Sequence, residues 1–118
     1  MSYKTKFVGE LKFTHELNLK ELAKVKSFLG EDCRQHPEWG NTGLFGIDLE
    51  FLDDFSGLRW EQSESTYGLV DMVNLIILNM QKDYPGFGLI GRMVAQGRDV
   101  DDRWELVIED GYAVRREI

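Results

Sequence analysis

The sequence predicts an α+β fold, a two-layer sandwich in which two helices cover an antiparallel-rich sheet of about six strands. Segments with strict two-residue alternation predict the strands, and two amphipathic segments with helical spacing predict the helices. The resulting order is β-α-β-β-α-β-β-β. Its first six elements follow the order of a ferredoxin-like split βαβ unit, and a C-terminal hairpin follows. We expect a single α+β domain over residues 1–118.

The first strand, the first helix and a long loop are predicted in that order. Residues 4–14 alternate between apolar and polar positions, which is typical of a half-buried strand. Residues 19–29 form the first helix, because Asn18 and Glu21 have the spacing of a capping box. Residues 30–43 show no period, and a loop of this length in a small domain is typical of a functional or mobile segment.

The rest of the chain contains the second helix and the remaining strands. Asp110-Gly111 is the sequence signal of a two-residue type I′ hairpin, which joins the last two strands. The predicted elements are a strand at 45–51, a turn at 53–57, a strand from 58, helix caps at 62–66, a helix at 67–83, and strands at 87–96, 103–109 and 112–116.

The charge balance argues against two classes of ligand. The chain has 14 Lys and Arg against 21 Asp and Glu, which gives a net charge of −7. Nucleic-acid affinity depends on basic residues that neutralise phosphates, so we expect no direct nucleic-acid binding. We expect no membrane binding either, because the chain has no polybasic segment and no apolar run of membrane-spanning length.

The cysteine content and the first residues predict the compartment. Cys33 is the single cysteine, which fits a reducing environment. The polar first residues do not resemble a signal peptide, so we expect a cytoplasmic protein.

Acidic residues occur in groups, and these groups are the candidate partner-binding residues. A rigid sheet can present such groups to a basic partner without disturbing the core. Trp39, in a polar loop flanked by glycines, is either an exposed anchor for a partner or a residue folded back onto the core. The acidic candidates are Glu31, Asp32, Asp48, Glu50, Asp53, Asp54, Asp99, Asp101 and Asp102.

Catalytic and metal sites are weaker hypotheses. Asp48 and Glu50 share one face of a strand and could act as an acid–base pair, and Cys33 and His36 could form a thiolate–imidazole pair. The spacing of Cys33 and His36 supplies only two of the four ligands of a structural zinc site. Residues 99–102 lack the central glycine and the last glutamate of a calcium loop. We therefore expect no metal and no cofactor.

Three segments, 29–34, 53–60 and 95–104, resemble a group of small uncharacterised proteins of phages and bacterial mobile elements. The resemblance implies a context in which small acidic proteins bind and block a host machine, as anti-CRISPR and other anti-defence proteins do. The expected function is a non-enzymatic inhibitor, a monomer or homodimer, that binds a host protein or ribonucleoprotein complex with a basic surface. If the phage context holds, its location is the host cytoplasm. The alternative is a small hydrolase or nuclease that uses Asp48 and Glu50 or Cys33 and His36.

Overall fold

The computed structural model of the protein describes residues 6–40, 46–61, 68–96 and 103–118. Within these residues the chain forms six strands and two α-helices, which confirms the predicted α+β class and element order. The elements are β1 (Lys6–Phe13), α1 (Leu19–Phe28), β2 (Leu49–Phe51), β3 (Gly57–Trp60), α2 (Leu69–Asp83), β4 (Leu89–Gln96), β5 (Arg103–Glu109) and β6 (Tyr112–Glu117).

The strands form one sheet in the order β2-β3-β1-β4-β5-β6, and every neighbouring pair is antiparallel. The strands β1 and β2, which α1 connects, run in the same direction with β3 between them. Likewise β3 and β4, which α2 connects, run in the same direction with β1 between them. This interleaving is the ferredoxin-like arrangement, and the β5–β6 hairpin extends the sheet beyond β4.

One face of the sheet packs on the core. On β1 the side chains of Phe7, Leu11 and Phe13 are buried, whereas Val8 on the opposite face is 71% exposed. Alternation along the strand therefore predicts correctly which face meets the helices. Among the predicted core residues, those fully buried are Val25, Leu49, Val73, Ile77 and Leu106, and those half-buried against the core are Leu22 and Ile108.

Local signals in the sequence form as predicted. The Asn18 side chain accepts a hydrogen bond from the Glu21 amide at 2.9 Å, and the Glu21 carboxylate accepts one from the Asn18 amide at 3.1 Å, which completes the capping box. Asp110 and Gly111 have φ angles of 51° and 88°, as a type I′ turn requires. The predicted caps at 62–66 lie outside the described residues.

Asn74 on α2 covers part of the free edge of β6. Because Glu109 and Tyr112 close the two-residue hairpin, Ala113 directs its backbone amide and carbonyl away from β5. The Asn74 side chain donates to the Ala113 carbonyl at 2.9 Å and accepts from the Ala113 amide at 2.8 Å. The side-chain amide thus takes the place of a neighbouring strand, which prevents another chain from pairing at this position.

We expect Asn74→Ala to destabilise the fold by about 1–3 kcal/mol, since two backbone groups lose their partners, and to promote self-association through β6. Denaturant unfolding and sedimentation velocity measure the two effects. The control is Gln81→Ala, which removes a 3.0 Å hydrogen bond from α2 to the Phe87 carbonyl away from this edge. The Gln81 variant should lose stability without associating. An Asn74 variant that stays monomeric at every concentration would contradict the role assigned to Asn74.

Candidate functional site

The fold brings Glu31 and Asp32 close to the acidic residues at 48–54, at the β2 edge of the sheet. Residues 30–32 run beside residues 46–47, since the Gly30 amide donates to the Ile47 carbonyl at 2.8 Å and the Ile47 amide donates to the Glu31 carbonyl at 3.1 Å. An antiparallel bridge between Asp32 and Gly46 continues this pairing. We call the resulting surface the acidic edge, and its members are Glu31, Asp32, Asp48, Glu50, Asp53, Asp54 and Glu61.

Asp48 and Glu50 point to the sheet face that the helices leave open. Leu49 between them is buried, so its neighbours along the chain must face the other way. The register of β2 and β3 places Glu50 opposite Arg59 and, one step further, Asp48 opposite Glu61. The predicted carboxylate pair on β2 therefore shares one face, as its spacing required.

Glu61 is the member of the acidic edge that the sequence analysis did not single out. Its amide donates to the Asp48 carbonyl at 3.1 Å, so the two carboxyl groups lie across from each other. Desolvation raises the pKa of the Glu61 carboxyl although the residue is exposed, and the charge and hydrogen bond of Asp48 raise it further, as does the charge of Glu50. Only a correct register for the β2–β3 hairpin could have revealed this contact from the sequence.

Two arginines neutralise part of the acidic edge. The Arg59 guanidinium lies 3.1 Å from the Glu50 carboxylate and 3.3 Å from that of Asp53. Arg34 lies 2.8 Å from Asp32 and lowers the pKa of that carboxyl by hydrogen bonding to it. Among the described residues, no Lys, Arg or His forms an ion pair with Asp48 or Glu61.

Trp39 is folded back onto the core, which is one of the two alternatives that the sequence left open. Its ring packs on Phe28 with a centroid distance of 4.9 Å and stacks on His36 at 3.9 Å with an interplanar angle of 10°. Trp39 remains half-buried, so only part of its ring is accessible to a partner. Two short 3₁₀ helices, Cys33–Gln35 and Pro37–Trp39, hold this part of the loop in place.

Cys33 and His36 are not arranged as a nucleophile and base. The imidazole nitrogens of His36 lie 3.1 Å from the Glu38 carboxylate and 3.3 Å from the Glu31 carboxylate. Cys33 is buried, and this burial raises the pKa of its thiol, as does the charge of Asp32. A thiol with a raised pKa is a poor nucleophile, and both ring nitrogens of His36, the proposed base, already contact carboxylates.

Asp99, Asp101 and Asp102 lie outside the described residues. No group of three or more His, Cys, Asp or Glu within the described ranges could hold a metal ion. In the same ranges, no helix has the length and apolar character that crossing a membrane requires.

Three shallow clefts are lined by described residues away from the Asp48–Glu61 pair. One, of about 490 Å³, lies between the β2–β3 turn and the start of α1. The other two lie on the helix side around Trp39, with volumes of about 510 and 550 Å³. None of the three is lined by Asp48, Glu50 or Glu61.

No protein-family model, curated protein or solved structure matches the chain. The resemblance to small phage proteins stays a prediction.

We expect Glu61→Gln to stabilise the protein near pH 7 by about 0.2–1 kcal/mol, because it removes a like-charge pair across two strands. The pKa of Glu61 is raised in the folded state, so folding favours its protonated form. The protonated carboxyl therefore contributes its full share to the free energy of unfolding below the pKa of the unfolded state, and this share is lost as the pH rises through the pKa of the folded state. The gain should therefore disappear near pH 3, where the carboxyl is protonated in both states.

Denaturant unfolding at the two pH values measures this difference. Glu16→Gln is the matched control, since it removes one exposed carboxylate that is not paired with Asp48 or Glu61. A Glu61 variant no more stable than the Glu16 variant at neutral pH would show that Asp48 and Glu61 do not repel each other.

We expect the Cys33 thiol of the folded protein to react with iodoacetamide at least about tenfold more slowly than the same thiol in denaturant, because burial and a raised pKa suppress the thiolate. Mass spectrometry of timed samples measures both rates. Rapid labelling of the native protein would instead support the alternative in which Cys33 is a nucleophile.

Proposed function

We propose that the protein is a non-enzymatic binding protein whose acidic edge docks on a basic surface of a partner protein or ribonucleoprotein. The observation that carries this proposal is the pair of facing carboxyl groups, Asp48 and Glu61, which no cation of the described chain neutralises. A partner arginine placed between them would replace this like-charge contact with charge-assisted hydrogen bonds to both carboxylates. The free energy of this exchange would favour the complex.

The surroundings of this pair support such docking. The acidic edge lies on a sheet, whose backbone hydrogen bonds fix the spacing of the carboxylates before a partner arrives. Asp53 extends the acidic edge at the turn, where its side chain is 94% exposed. The net charge of −7 adds a long-range attraction to any basic surface, and the same charge repels free nucleic acid.

The resemblance to phage proteins supplies a biological setting for this proposal. A basic channel that binds nucleic acid in a host defence complex is one surface that an acidic protein could occupy. In that setting the protein would act as an anti-defence, anti-CRISPR-like inhibitor in the host cytoplasm, by blocking the channel without chemistry.

We expect neutralising the carboxyl pair to slow association with the partner. The partner is first captured from a bacterial lysate and identified, and its binding to immobilised protein is then followed at two salt concentrations. The double variant Asp48→Asn with Glu61→Gln should associate at least about threefold more slowly at low salt, with a smaller difference at high salt, because screening weakens the attraction.

The matched control is Asp71→Asn with Asp110→Asn, which removes the same charge from α2 and from the β5–β6 turn. Asparagine tolerates the left-handed conformation of residue 110, so this control should fold normally. Equal association rates for the two double variants would show that net charge alone governs binding. Rates unaffected by salt in the unsubstituted protein would refute electrostatic docking altogether.

A further inference from the structure

Phe55, at the tip of the β2–β3 turn, combines an unusual backbone conformation with high exposure. Its φ angle is 61°, in the left-handed region, and the residue is 57% exposed. Glycine and asparagine adopt this conformation at low cost, whereas a bulky aromatic residue is an outlier there. Backbone strain of this kind is often found at binding sites.

The turn nevertheless holds Phe55 in a fixed position. The Phe55 amide donates to the Leu52 carbonyl at 2.9 Å, and the Asp54 carboxylate accepts from the Ser56 amide at 3.0 Å. The Phe55 ring meets the Phe51 ring edge-on at a centroid distance of 5.3 Å. An exposed aromatic ring that is already ordered loses little entropy when a partner covers it.

A cleft of about 490 Å³ opens beside this ring, and we call it the turn cleft. Phe13, Leu17 and Leu22 contribute apolar side chains to its lining. Its volume lies within the range of small-ligand pockets, so it can accommodate one large apolar side chain.

The charged groups around the turn cleft are mainly acidic. Glu16 and Asp54 line it, and hydrogen bonds from Ser56 lower the pKa of the Asp54 carboxyl, which keeps it ionised. The nearby basic side chains already have acidic partners, since Lys12 lies 3.3 Å from the Glu10 carboxylate and His15 lies 2.9 Å from that of Glu21. An occupant with positive charge beside its apolar group would therefore match both the lining and the rim.

We propose that the turn cleft binds an apolar side chain of the partner that is flanked by arginine or lysine, with Phe55 as the aromatic anchor. This inference rests on the proposed function, because it names the type of segment that a basic partner would insert next to the acidic edge.

The experiment titrates ¹⁵N-labelled protein with a blocked peptide of sequence Gly-Arg-Leu-Arg-Gly. Two further peptides replace its leucine with serine or its arginines with glutamates. We expect amide shifts at residues 13–17 and 54–56 with the first peptide only. Residues of the turn cleft that do not respond to it, or that respond equally to the serine peptide, would overturn the inference.

Phe55→Gly separates binding from folding. Glycine fits the left-handed backbone better, so this variant should keep or raise the thermal midpoint while its affinity for the peptide falls at least about tenfold. Phe55→Asn should show the same stability and the same loss of affinity, and it replaces the glycine variant in the test if that variant unfolds. The control is Tyr112→Ser, which removes an exposed aromatic ring on β6 and should leave the affinity unchanged.

The outcomes distinguish the turn cleft from the acidic edge. Amide shifts confined to residues 48–50 and 59–61 would refute the turn cleft while leaving docking at the acidic edge in place. Binding at the turn cleft, together with association rates that do not change when Asp48 and Glu61 are neutralised, would instead refute docking through that carboxyl pair. An unchanged peptide affinity in both Phe55 variants would show that Phe55 is not the aromatic anchor.

Discussion

The central position of β1 is the constraint on which the other elements depend. This strand pairs with β4 over its full length, Lys6 to Phe13, and with β3 on its other side. The backbones approach closely on both sides: a Cβ atom at Gly57 would overlap the Leu11 carbonyl oxygen, and one at Gly91 would lie 2.6 Å from the Glu10 carbonyl oxygen. The β1–α1–β2 connection passes over β3 and the β3–α2–β4 connection passes over β1, so both helices pack on one face of the sheet. The two edges are β2 and, at the end of the added hairpin, β6.

Each edge is protected against pairing with another chain, but by different means. At β6 the side chain of Asn74 forms hydrogen bonds with the backbone carbonyl and amide of Ala113. At the other edge, residues 30–32 pair beside the start of β2, and carboxylates line the open face. Charged side chains at a sheet edge oppose self-association. The same carboxylates would still attract a basic partner, so a structural role and the proposed binding role are compatible. Of the two roles, only the binding role predicts that neutralising Asp48 and Glu61 slows association with a partner more than removing equal charge elsewhere does.

Signals that act over a few residues could be predicted from the sequence. Alternation along β1, the capping box of α1 and the Asp110-Gly111 turn each depend on neighbours within about four positions. The contacts that define the candidate site join distant parts of the chain. Glu61 meets Asp48 only when the hairpin register is correct, and a slip of one residue would turn it to the other face. Trp39 packs on Phe28 because the loop folds back over α1, and no local pattern specifies that path.

Trp39 and Phe55 show why the exposure of a loop aromatic could not be predicted from the residues around it in the sequence. Trp39 lies in a glycine-flanked loop yet packs on the buried ring of Phe28, whereas Phe55 lies in a tight turn, meets only the edge of Phe51 and stays 57% exposed. The hairpin therefore carries charge along its strands and an ordered aromatic ring at its tip. In the proposed complex these features would act at different stages of binding, since charges mainly accelerate encounter and a buried aromatic ring mainly slows dissociation. A single rigid hairpin could in this way supply both the speed and the lifetime that a blocking protein needs.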